Sequence, residues 1–413
     1  MTPHISNFTK FFFVATLLLP ATALAKQKET VLYNFPTQGG DGVQPIAGLI
    51  ADASGNMYGT TFGGGQGQDG TVFEITPAGV ETVLFAFGGS DGALPAAALT
   101  MDKKGNLYGT TVIGGANNQG VVFQLKPKSD GGWKETVLYN FCAQTNCADG
   151  ATPEGPVTVG PDGALYGTTA TGGVGAVTPN SGTVFRLTPG KHGAWTETVL
   201  HNFCDEGGCG DGNNPLAPRL LLTKSSTLYG TASKNTGNGG TLYSLNTDGG
   251  NFQVLHQFGD RPGYFPDAGV VSDKEGVLYG TLRNNSCAEG GVYSFDTVTS
   301  TYRIVQEFCN PFLPVVPSGD LTIKETKNGV TLYGTSQRGG QNDAGTFYQL
   351  TPPASAGDPW NLKVLYDFCT KASCADGGAP FSAAVLNENG VFYGTTSAGG
   401  AQNGGVVFRF GAN

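Results

Sequence analysis

The stretch Leu107-Tyr108-Gly109-Thr110-Thr111 decides the fold, because its central phrase Tyr-Gly-Thr occurs seven times in this chain of 413 residues. The copies begin at Tyr58, Tyr108, Tyr166, Tyr229, Tyr279, Tyr333 and Tyr393. Successive copies are separated by 50, 58, 63, 50, 54 and 60 residues. Self-similarity at such a period indicates a repeat architecture in which each repeat is one supersecondary unit.

Each repeat contains four short apolar segments. In the second repeat they are the Ala-rich run from Pro95 to Met101, then 107–111, 121–125 and 136–141. The segments are rich in β-branched and aromatic residues and are bounded by Gly, Pro, Asn or Asp, which is the pattern of strands. The mature chain shows no helical periodicity. A four-stranded antiparallel unit repeated radially is a propeller blade, so the sequence predicts an all-β, seven-bladed β-propeller.

The phase of the repeat predicts how the ring closes. After its leader the chain starts with a fourth-type strand, Thr30 to Phe35, and it ends with a third-type strand, Gly405 to Phe410. The last blade therefore lacks its own fourth strand. We expect strand 30–35 to join that blade, because closure removes the exposed edges of an open array.

The glycine of Tyr-Gly-Thr lies within a strand, where glycine marks the close approach of a neighbouring group. We expect it to make room for an aromatic side chain of the adjacent blade. The motif is therefore interpreted as a packing element, since seven equivalent catalytic tyrosines would make no chemical sense.

Residues 1–25 have the features of a secretory signal peptide. Lys10 precedes an apolar run from Phe11 to Leu19, and Ala23-Leu24-Ala25 is a small-x-small cleavage site. Cleavage near Ala25 would leave residues 26–413 as a single propeller domain, secreted to the periplasm or the exterior, with no membrane span. We expect that domain to be a monomer.

The charge balance narrows the choice of partners. Removal of the leader, with its one lysine and no acidic residue, changes the net charge from −9 to −10. Nucleic acids and anionic membranes reward Lys/Arg patches, and this sequence contains no such cluster. We therefore expect neither as a partner.

Eight cysteines, all in the exported part, fit an oxidising compartment. Three pairs share one spacing, and each follows a fourth-type strand: Cys142 and Cys147, Cys204 and Cys209, Cys369 and Cys374. Cys287 and Cys309 lie in two further loops that emerge on the same face of a propeller. The sequence predicts four disulfides on that face and no metal site, because no histidine accompanies the cysteines.

The search for catalytic motifs is mostly negative. The chain contains no His-Glu-x-x-His, phosphate loop or Gly-x-Ser-x-Gly, and we expect no cofactor. His201 and His256 occupy positions where other repeats carry Tyr or Phe, which indicates packing. The Asp-Gly pairs at Asp41, Asp91, Asp149, Asp211 and Asp376 are interpreted as turn-shaping residues.

The non-repeating residues are the candidate site. Positions just after the recurrent proline should rim the central channel, and most repeats have small residues there. The charged exceptions, which are the catalytic candidates, are Glu154, Arg219, Asp267 and Asp320. Aromatic residues of the same loops that could stack on sugar rings are Tyr264, Phe265, Phe312 and Phe381.

The combined pattern Leu-Tyr-Gly-Thr-Thr, Gly-Gly, Gly-Thr-Val-Phe, Thr-Val-Leu-Tyr-Asn-Phe and Asp-Gly-x-x-Pro resembles the GloVer (Gloeobacter/Verrucomicrobia) tandem repeat over nearly the whole mature chain. The resemblance implies an exported bacterial β-propeller and supplies no catalytic residues. Members of that family are often tethered by C-terminal anchors, whereas here we expect none after the last strand.

Three functions are compatible with these features. The favoured one is a secreted or periplasmic binding module for a glycan or a protein partner. The alternative is a propeller-type polysaccharide lyase or glycoside hydrolase, which as a hydrolase would need carboxylates roughly 5–10 Å apart. Only Asp267 and Asp320 come from neighbouring blades. A structural component of the envelope or matrix is the third possibility.

Overall fold

The computed structural model describes residues 28–411 apart from 175–180, 206–207, 217–218, 238, 260–264, 285–288, 311, 318, 327–328 and 356–357. The leader predicted over residues 1–25 lies outside this part and stays a prediction. The described residues form seven four-stranded antiparallel sheets arranged as a seven-bladed β-propeller. The predicted fold is therefore confirmed.

Every blade has the same strand order, and we number the blades 1–7 by their Tyr-Gly-Thr copies. The innermost strands are Ile50–Ala51, Thr100–Met101, Thr158–Val159, Leu221–Leu222, Val271–Ser272, Thr322–Thr326 and Val385–Leu386. The second strands, which carry Tyr-Gly-Thr, are Met57–Thr61, Leu107–Thr111, Leu165–Thr169, Thr227–Ala232, Val277–Leu282, Gly329–Ser336 and Phe392–Thr396.

The third strands are Thr71–Ile75, Val121–Pro127, Thr183–Pro189, Thr241–Asn246, Gly291–Asp296, Thr346–Thr351 and Val406–Gly411. The outer strands are Glu81–Ala86, Trp133–Asn140, Trp195–Asn202, Gln253–Gln257, Thr301–Glu307, Asn361–Asp367 and Lys28–Asn34. One further pair joins Pro314–Val315 to Arg338–Gly339. Short 3-10 turns lie at Thr145–Cys147, Lys191–Gly193 and Ala372–Cys374.

The ring closes as the phase of the repeat predicts. Strand Lys28–Asn34 pairs antiparallel with Val406–Gly411, so blade 7 takes its outer strand from the beginning of the chain. The two strands stay in register from Lys28, opposite Gly411, to Asn34, opposite Val406, with one irregularity between Val31 and Tyr33. The predicted closure is confirmed.

The hydrophobic core lies between neighbouring blades. A phenylalanine directly after each outer strand, such as Phe141, is at most 1% exposed. Its ring packs edge-on against an aromatic ring on the third strand of the next blade, as Phe141 does against Phe185 at a centroid distance of 5.0 Å. The equivalent pairs are Phe35–Phe73, Phe87–Phe123, Phe203–Tyr243, Phe258–Tyr293, Phe308–Tyr348 and Phe368–Phe408.

The glycine of Tyr-Gly-Thr faces an aromatic ring of its own blade. Gly109 pairs with Phe123 across the second and third strands, and a Cβ at Gly109 would lie 2.5 Å from Cζ of that ring. The expectation of an adjacent-blade aromatic is therefore wrong. The adjacent blade contributes a further ring, because Phe87 of blade 1 packs edge-on against Phe123 at a centroid distance of 5.1 Å.

The threonine of the motif joins neighbouring blades. Thr110 Oγ1 of blade 2 donates a hydrogen bond of 3.0 Å to the carbonyl oxygen of Gly155, which leads into blade 3. The same bond recurs in five other blades, with distances from 2.7 to 3.2 Å. Its other donors and acceptors are Thr60 and Ala97, Thr231 and Ala268, Thr281 and Gly319, Thr335 and Ser382, Thr395 and Ala47. Thr168 donates instead to the carbonyl oxygen of Pro215, which lies earlier in the loop into blade 4, at 3.5 Å.

Three of the predicted disulfides are confirmed: Cys142–Cys147, Cys204–Cys209 and Cys369–Cys374. Cys309 is also disulfide-bonded, and its predicted partner Cys287 lies outside the described residues. The Asp-Gly aspartates shape these loops, since Asp376 accepts hydrogen bonds from the backbone N–H groups of Thr370 and Lys371. We call the side of the ring that carries these loops the disulfide face.

Candidate functional site

Alternating residues of the innermost strands face the central channel. In blade 1, Ala47 and Leu49 are buried between sheets, whereas Ile46, Gly48 and Ile50 are half-buried. Successive side chains of a strand point to opposite faces, so the half-buried set lines the channel. Equivalent half-buried residues of the blades lie at the same depth in the channel, and we call each such group a layer. The first layer consists of the residues that directly follow the recurrent proline, and it lies nearest the disulfide face.

The structure brings Arg219 and Asp320 together in the second of these layers. Each directly precedes a buried leucine, Leu220 or Leu321. Arg219 Nε lies 3.9 Å from Asp320 Oδ2, and the two side chains are 33% and 29% exposed. Both are surrounded by protein but reachable by water, as expected for groups in a narrow channel.

Protein groups complete the surroundings of this pair. The guanidinium of Arg219 donates to Thr100 Oγ1 at 3.0 Å and to the Leu99 carbonyl at 3.4 Å, while Asp320 Oδ1 accepts from the Gly269 N–H at 2.8 Å. Burial lowers the pKa of Arg219 and raises that of Asp320, and each effect is opposed by the charge of the other residue. The pair therefore ties blades 2, 4, 5 and 6 across the channel.

Asp267 lies nearer the disulfide face and pairs with a different arginine. Its Oδ2 is 3.0 Å from Nε of Arg283, and its side chain is 12% exposed. Burial raises the pKa of Asp267, and the charge of Arg283 opposes this shift. The same guanidinium lies 5.3 Å from the ring centroid of Phe265, a cation–π geometry that covers this predicted ligand-binding ring.

Glu154 stands apart from the other charged candidates. Among the described residues no group forms a hydrogen bond or ion pair with its half-buried side chain. Burial alone raises the pKa of its carboxyl. Asp267 and Asp320 are each bound to their own arginine, so no observation favours them as a pair of catalytic carboxylates.

The predicted aromatic residues have different environments. Tyr264 lies outside the described residues. Phe381, just before the innermost strand of blade 7, is 40% exposed, and Phe312 on the disulfide face is 71% exposed. An exposed phenylalanine on a loop is a candidate ligand contact. Phe312 lines a groove.

This groove, which we call the blade 5–6 groove, has a volume of about 540 Å³. It lies between the loop entering blade 6 and the loop joining the second and third strands of that blade, and these loops pair through Pro314–Val315 and Arg338–Gly339. Its lining residues are Glu289, Phe312, Val315, Val316, Arg338, Gly340, Gln341, Asn342 and Asp343.

Hydrogen bonds fix the polar wall of the groove. Arg338 Nε and Nη2 donate to Asp343 Oδ2 at 3.2 and 2.6 Å, and the Gly339 N–H donates to Asp343 Oδ1 at 2.9 Å. The bonds from Arg338 and then Gly339 lower the pKa of Asp343. Asn342 Nδ2 donates to the carbonyl oxygen of Cys369, which connects this wall to a disulfide loop.

The sequence contained a signal for this wall that the search for channel residues missed. Arg338 pairs with the loop entering its blade, as the corresponding residues of other blades do. Those residues are Gly63, Ile113, Thr171, Lys234 and Ala398. A large hydrogen-bonding side chain at this position is therefore a departure from most of the repeats.

Metal-binding clusters and membrane-spanning helices are two further features that bear on function. In the part of the chain that the structure describes, no group of three or more His, Cys, Asp and Glu side chains is arranged to hold a metal ion. Within the same residues, no helix has the length and apolar character needed to cross a lipid bilayer.

The fold and the loop-built groove define a β-propeller repeat protein. The model of the Gloeobacter/Verrucomicrobia repeat matches residues 21–217 and 175–330, about three quarters of the chain. The chain belongs to this family. No curated protein sequence matches it.

Several solved structures are similar to this chain. The nidogen/laminin complex contains a chain 17% identical, with a TM-score of 0.41, over 62% of this chain and 77% of that one. A provisionally assigned 6-phosphogluconolactonase of Bacteroides uniformis is 13% identical, with a TM-score of 0.49, over 78% and 83%. A gluconolactonase of Xanthomonas campestris is 15% identical, with a TM-score of 0.44, over 76% and 87%. Likeness at this level does not bear on activity.

Proposed function

We propose that the protein is an exported binding module that holds a glycan in the blade 5–6 groove. Export rests on the signal peptide predicted over residues 1–25 and on the disulfides, which persist in oxidising compartments. The observation that carries the binding site is the 71% exposure of Phe312 beside a polar wall fixed in position.

The lining of the groove matches the two sides of a sugar ring. A pyranose has an apolar C–H face and a rim of hydroxyl groups. The ring of Phe312 offers a flat apolar surface for the first. The guanidinium of Arg338 and the amides of Gln341 and Asn342 offer donors and acceptors for the second.

The charges of the groove favour an uncharged glycan. Asp343 accepts two hydrogen bonds from Arg338, and Glu289 adds a second carboxylate to the lining. The whole chain carries a net charge of −9. An anionic polysaccharide would be repelled by this field, whereas a neutral one would not.

The site needs little rearrangement to bind. Its two loops are joined by strand pairing, and its polar wall is bonded to the Cys369 carbonyl. Ordering of loops and side chains on binding reduces affinity, and a wall already held in place avoids part of this cost.

The test is calorimetric titration of the oxidised mature protein with neutral and uronic-acid-containing oligosaccharides. The variant is Phe312→Ala, and the matched control is Phe381→Ala, which removes the other exposed phenylalanine near the disulfide face. We expect one neutral class to bind and to be recovered intact, with binding weakened about tenfold or more in F312A and unchanged in F381A.

Three outcomes would contradict the proposal. Shortened or unsaturated products would make the protein an enzyme. Loss of binding in F381A but not in F312A would move the site to the channel. The absence of binding to every glycan would leave a protein partner or a structural role.

A further inference from the structure

One position, near the beginning of the outer strand or directly before it, faces the space between its blade and the preceding blade. We call this position the slot. Aromatic rings in this slot stack on the neighbouring blade: Phe252 on His201 at 3.6 Å and Tyr302 on His256 at 3.9 Å between centroids. The expectation that His201 and His256 are packing residues is thus confirmed. By strand register, Leu362 occupies the slot of blade 6, and the other four blades have Glu29, Glu81, Glu135 and Glu197.

All four glutamates have an enclosed carboxyl oxygen without a donor. Oε1 of Glu29, of Glu81, of Glu135 and of Glu197 is buried and has no hydrogen-bond partner. Glu29 differs from the other three in the partner of its second oxygen. Each of those three carboxyls lies near the Asp-Gly aspartate of the preceding blade. The pairs are Glu81 with Asp41, Glu135 with Asp91 and Glu197 with Asp149.

The aspartates of these pairs already accept hydrogen bonds from other groups. Asp149, in the loop between blades 2 and 3, is an example. Asp149 is fully buried and accepts hydrogen bonds from Tyr139 Oη at 2.7 Å, the Ala143 N–H at 2.9 Å and the Gln144 N–H at 3.1 Å. Three donors thus contact its carboxylate oxygens. Glu197 opposite receives none at Oε1, and a second negative charge so close to the first is unfavourable.

The fourth glutamate, Glu29, has a cation at its other carboxyl oxygen. The side chain of Glu29 is 1% exposed, and Lys371 Nζ donates to its Oε2 at 2.6 Å. Lys371 and Gln144 are equivalent residues, because their backbone N–H groups donate to the Oδ1 atoms of the equivalent aspartates Asp376 and Asp149. Glutamine thus replaces lysine where Glu197 lies.

We propose that Glu81, Glu135 and Glu197 bind protons in the folded ring near neutral pH, where glutamates of the unfolded chain are ionised, so that three blade interfaces take up protons on folding. The proton removes the second negative charge from the interface. The ionisable groups that face these carboxyls are Asp41 and Tyr33 for Glu81, Asp91 for Glu135, and Asp149 and Tyr139 for Glu197.

The direction of the pH dependence follows from the burial of these groups. Burial, and then the charge of the neighbouring aspartate, raises the pKa of Glu81 and of Glu135 to about 7 and that of Glu197 to about 8. In the unfolded chain a glutamate titrates near its ordinary pKa of about 4.3. The stability from the three protons is therefore complete below about pH 4 and is lost as the pH rises through 7 to 8.

The test is the melting temperature of the oxidised mature protein from about pH 5 to about pH 9, for the wild type, Glu197→Gln, Gln144→Lys and the exposed control Glu388→Gln. The wild type and E388Q should lose several degrees between about pH 6 and about pH 9. The melting temperature of E197Q should fall less over this pH range, because the glutamine amide is neutral and keeps the shape of the protonated carboxyl. Q144K should also lose less, because a lysine there can pair with Glu197 as Lys371 pairs with Glu29.

An infrared spectrum supplies the second readout. A protonated carboxyl gives a carbonyl band separate from that of carboxylates, and the wild type should show it at neutral pH with reduced intensity in E197Q. A wild-type band absent at neutral pH, or slopes identical in the wild type, E197Q and Q144K, would overturn the proposal. Should E197Q fail to fold, Q144K and the wild-type spectrum still decide.

Discussion

Arg338 donates two hydrogen bonds to one carboxylate oxygen of Asp343, from Nε at 3.2 Å and from Nη2 at 2.6 Å. The two side chains are 63% and 53% exposed. Exposed ion pairs of this kind contribute only about 0.2–1 kcal/mol to stability. Their consequence is local, since they hold the guanidinium at the edge of the blade 5–6 groove.

The first prediction concerns this ion pair. Asp343→Asn keeps the size of the side chain and an acceptor for the Gly339 N–H but removes the charge that holds Arg338. We expect weaker binding of the neutral glycan, by about threefold to tenfold, with little change in melting temperature. Titration and thermal unfolding measure the two effects. Equal binding by D343N and the wild type would show that the position of Arg338 does not matter.

The second prediction concerns the glycine of Tyr-Gly-Thr. Gly109→Ala would place Cβ 2.5 Å from Cζ of Phe123 and 3.0 Å from Cδ2 of Leu99. We expect the free energy of unfolding to fall by about 1–3 kcal/mol through overpacking. Gly88→Ala is the control, because its Cβ would meet nothing within 4 Å. Phe123→Leu should recover part of the loss in the G109A background, and additive effects would contradict the contact.

The third prediction concerns the threonine that joins the blades. Thr110→Val keeps the shape of a buried side chain and removes the donor to the Gly155 carbonyl. We expect a loss of about 1–3 kcal/mol, the cost of leaving a buried carbonyl without a donor. Thr82→Val on the exposed part of an outer strand should change stability by less than about 0.5 kcal/mol. Chemical denaturation of both variants measures the difference.

The fourth prediction concerns the closing blade. Lys371→Met removes the cation from Glu29, whose pKa is already raised by burial against the effect of that lysine. The pKa of Glu29 should rise further, so the stability it contributes should be lost as the pH increases. We expect K371M to be more destabilised at about pH 8 than at about pH 5. The control is Lys363→Met, at an exposed position of the outer strand of blade 6. The same loss at both pH values would mean that Lys371 acts through packing alone.

The repeat carried enough information to predict the blades and the closure. Seven copies of Tyr-Gly-Thr indicated the number of blades, and the strand types of segments 30–35 and 405–410 indicated the closing pair. The sequence did not identify which ring lies over Gly109, because Phe123 of the same blade and Phe87 of the preceding blade are both aromatic and both recur. The partner of Thr110 is a backbone carbonyl, which leaves no mark in the sequence.

The candidate site was harder to predict. The position after the recurrent proline predicted Arg219 and Asp320 at the channel, but their closeness to each other depends on the reach of an arginine across the ring. The partner of Asp267 is Arg283, in a loop not considered for the site. Phe312 was predicted as a ligand contact, but the polar wall of the blade 5–6 groove was not. Arg338 lies in the loop between the second and third strands, away from the proline-adjacent positions from which the site was predicted.

The strand that closes the ring sets the earliest point at which this protein can complete its folding. Blades 1 to 6 are each made of contiguous chain, so each can form as soon as its own four strands have been synthesised. Blade 7 must wait for both residues 28–34 and 406–411, and joining segments so far apart carries the largest loop-closure entropy in the molecule. Until then the first strand of the chain remains an unpaired edge, exposed to any other chain with a strand to offer.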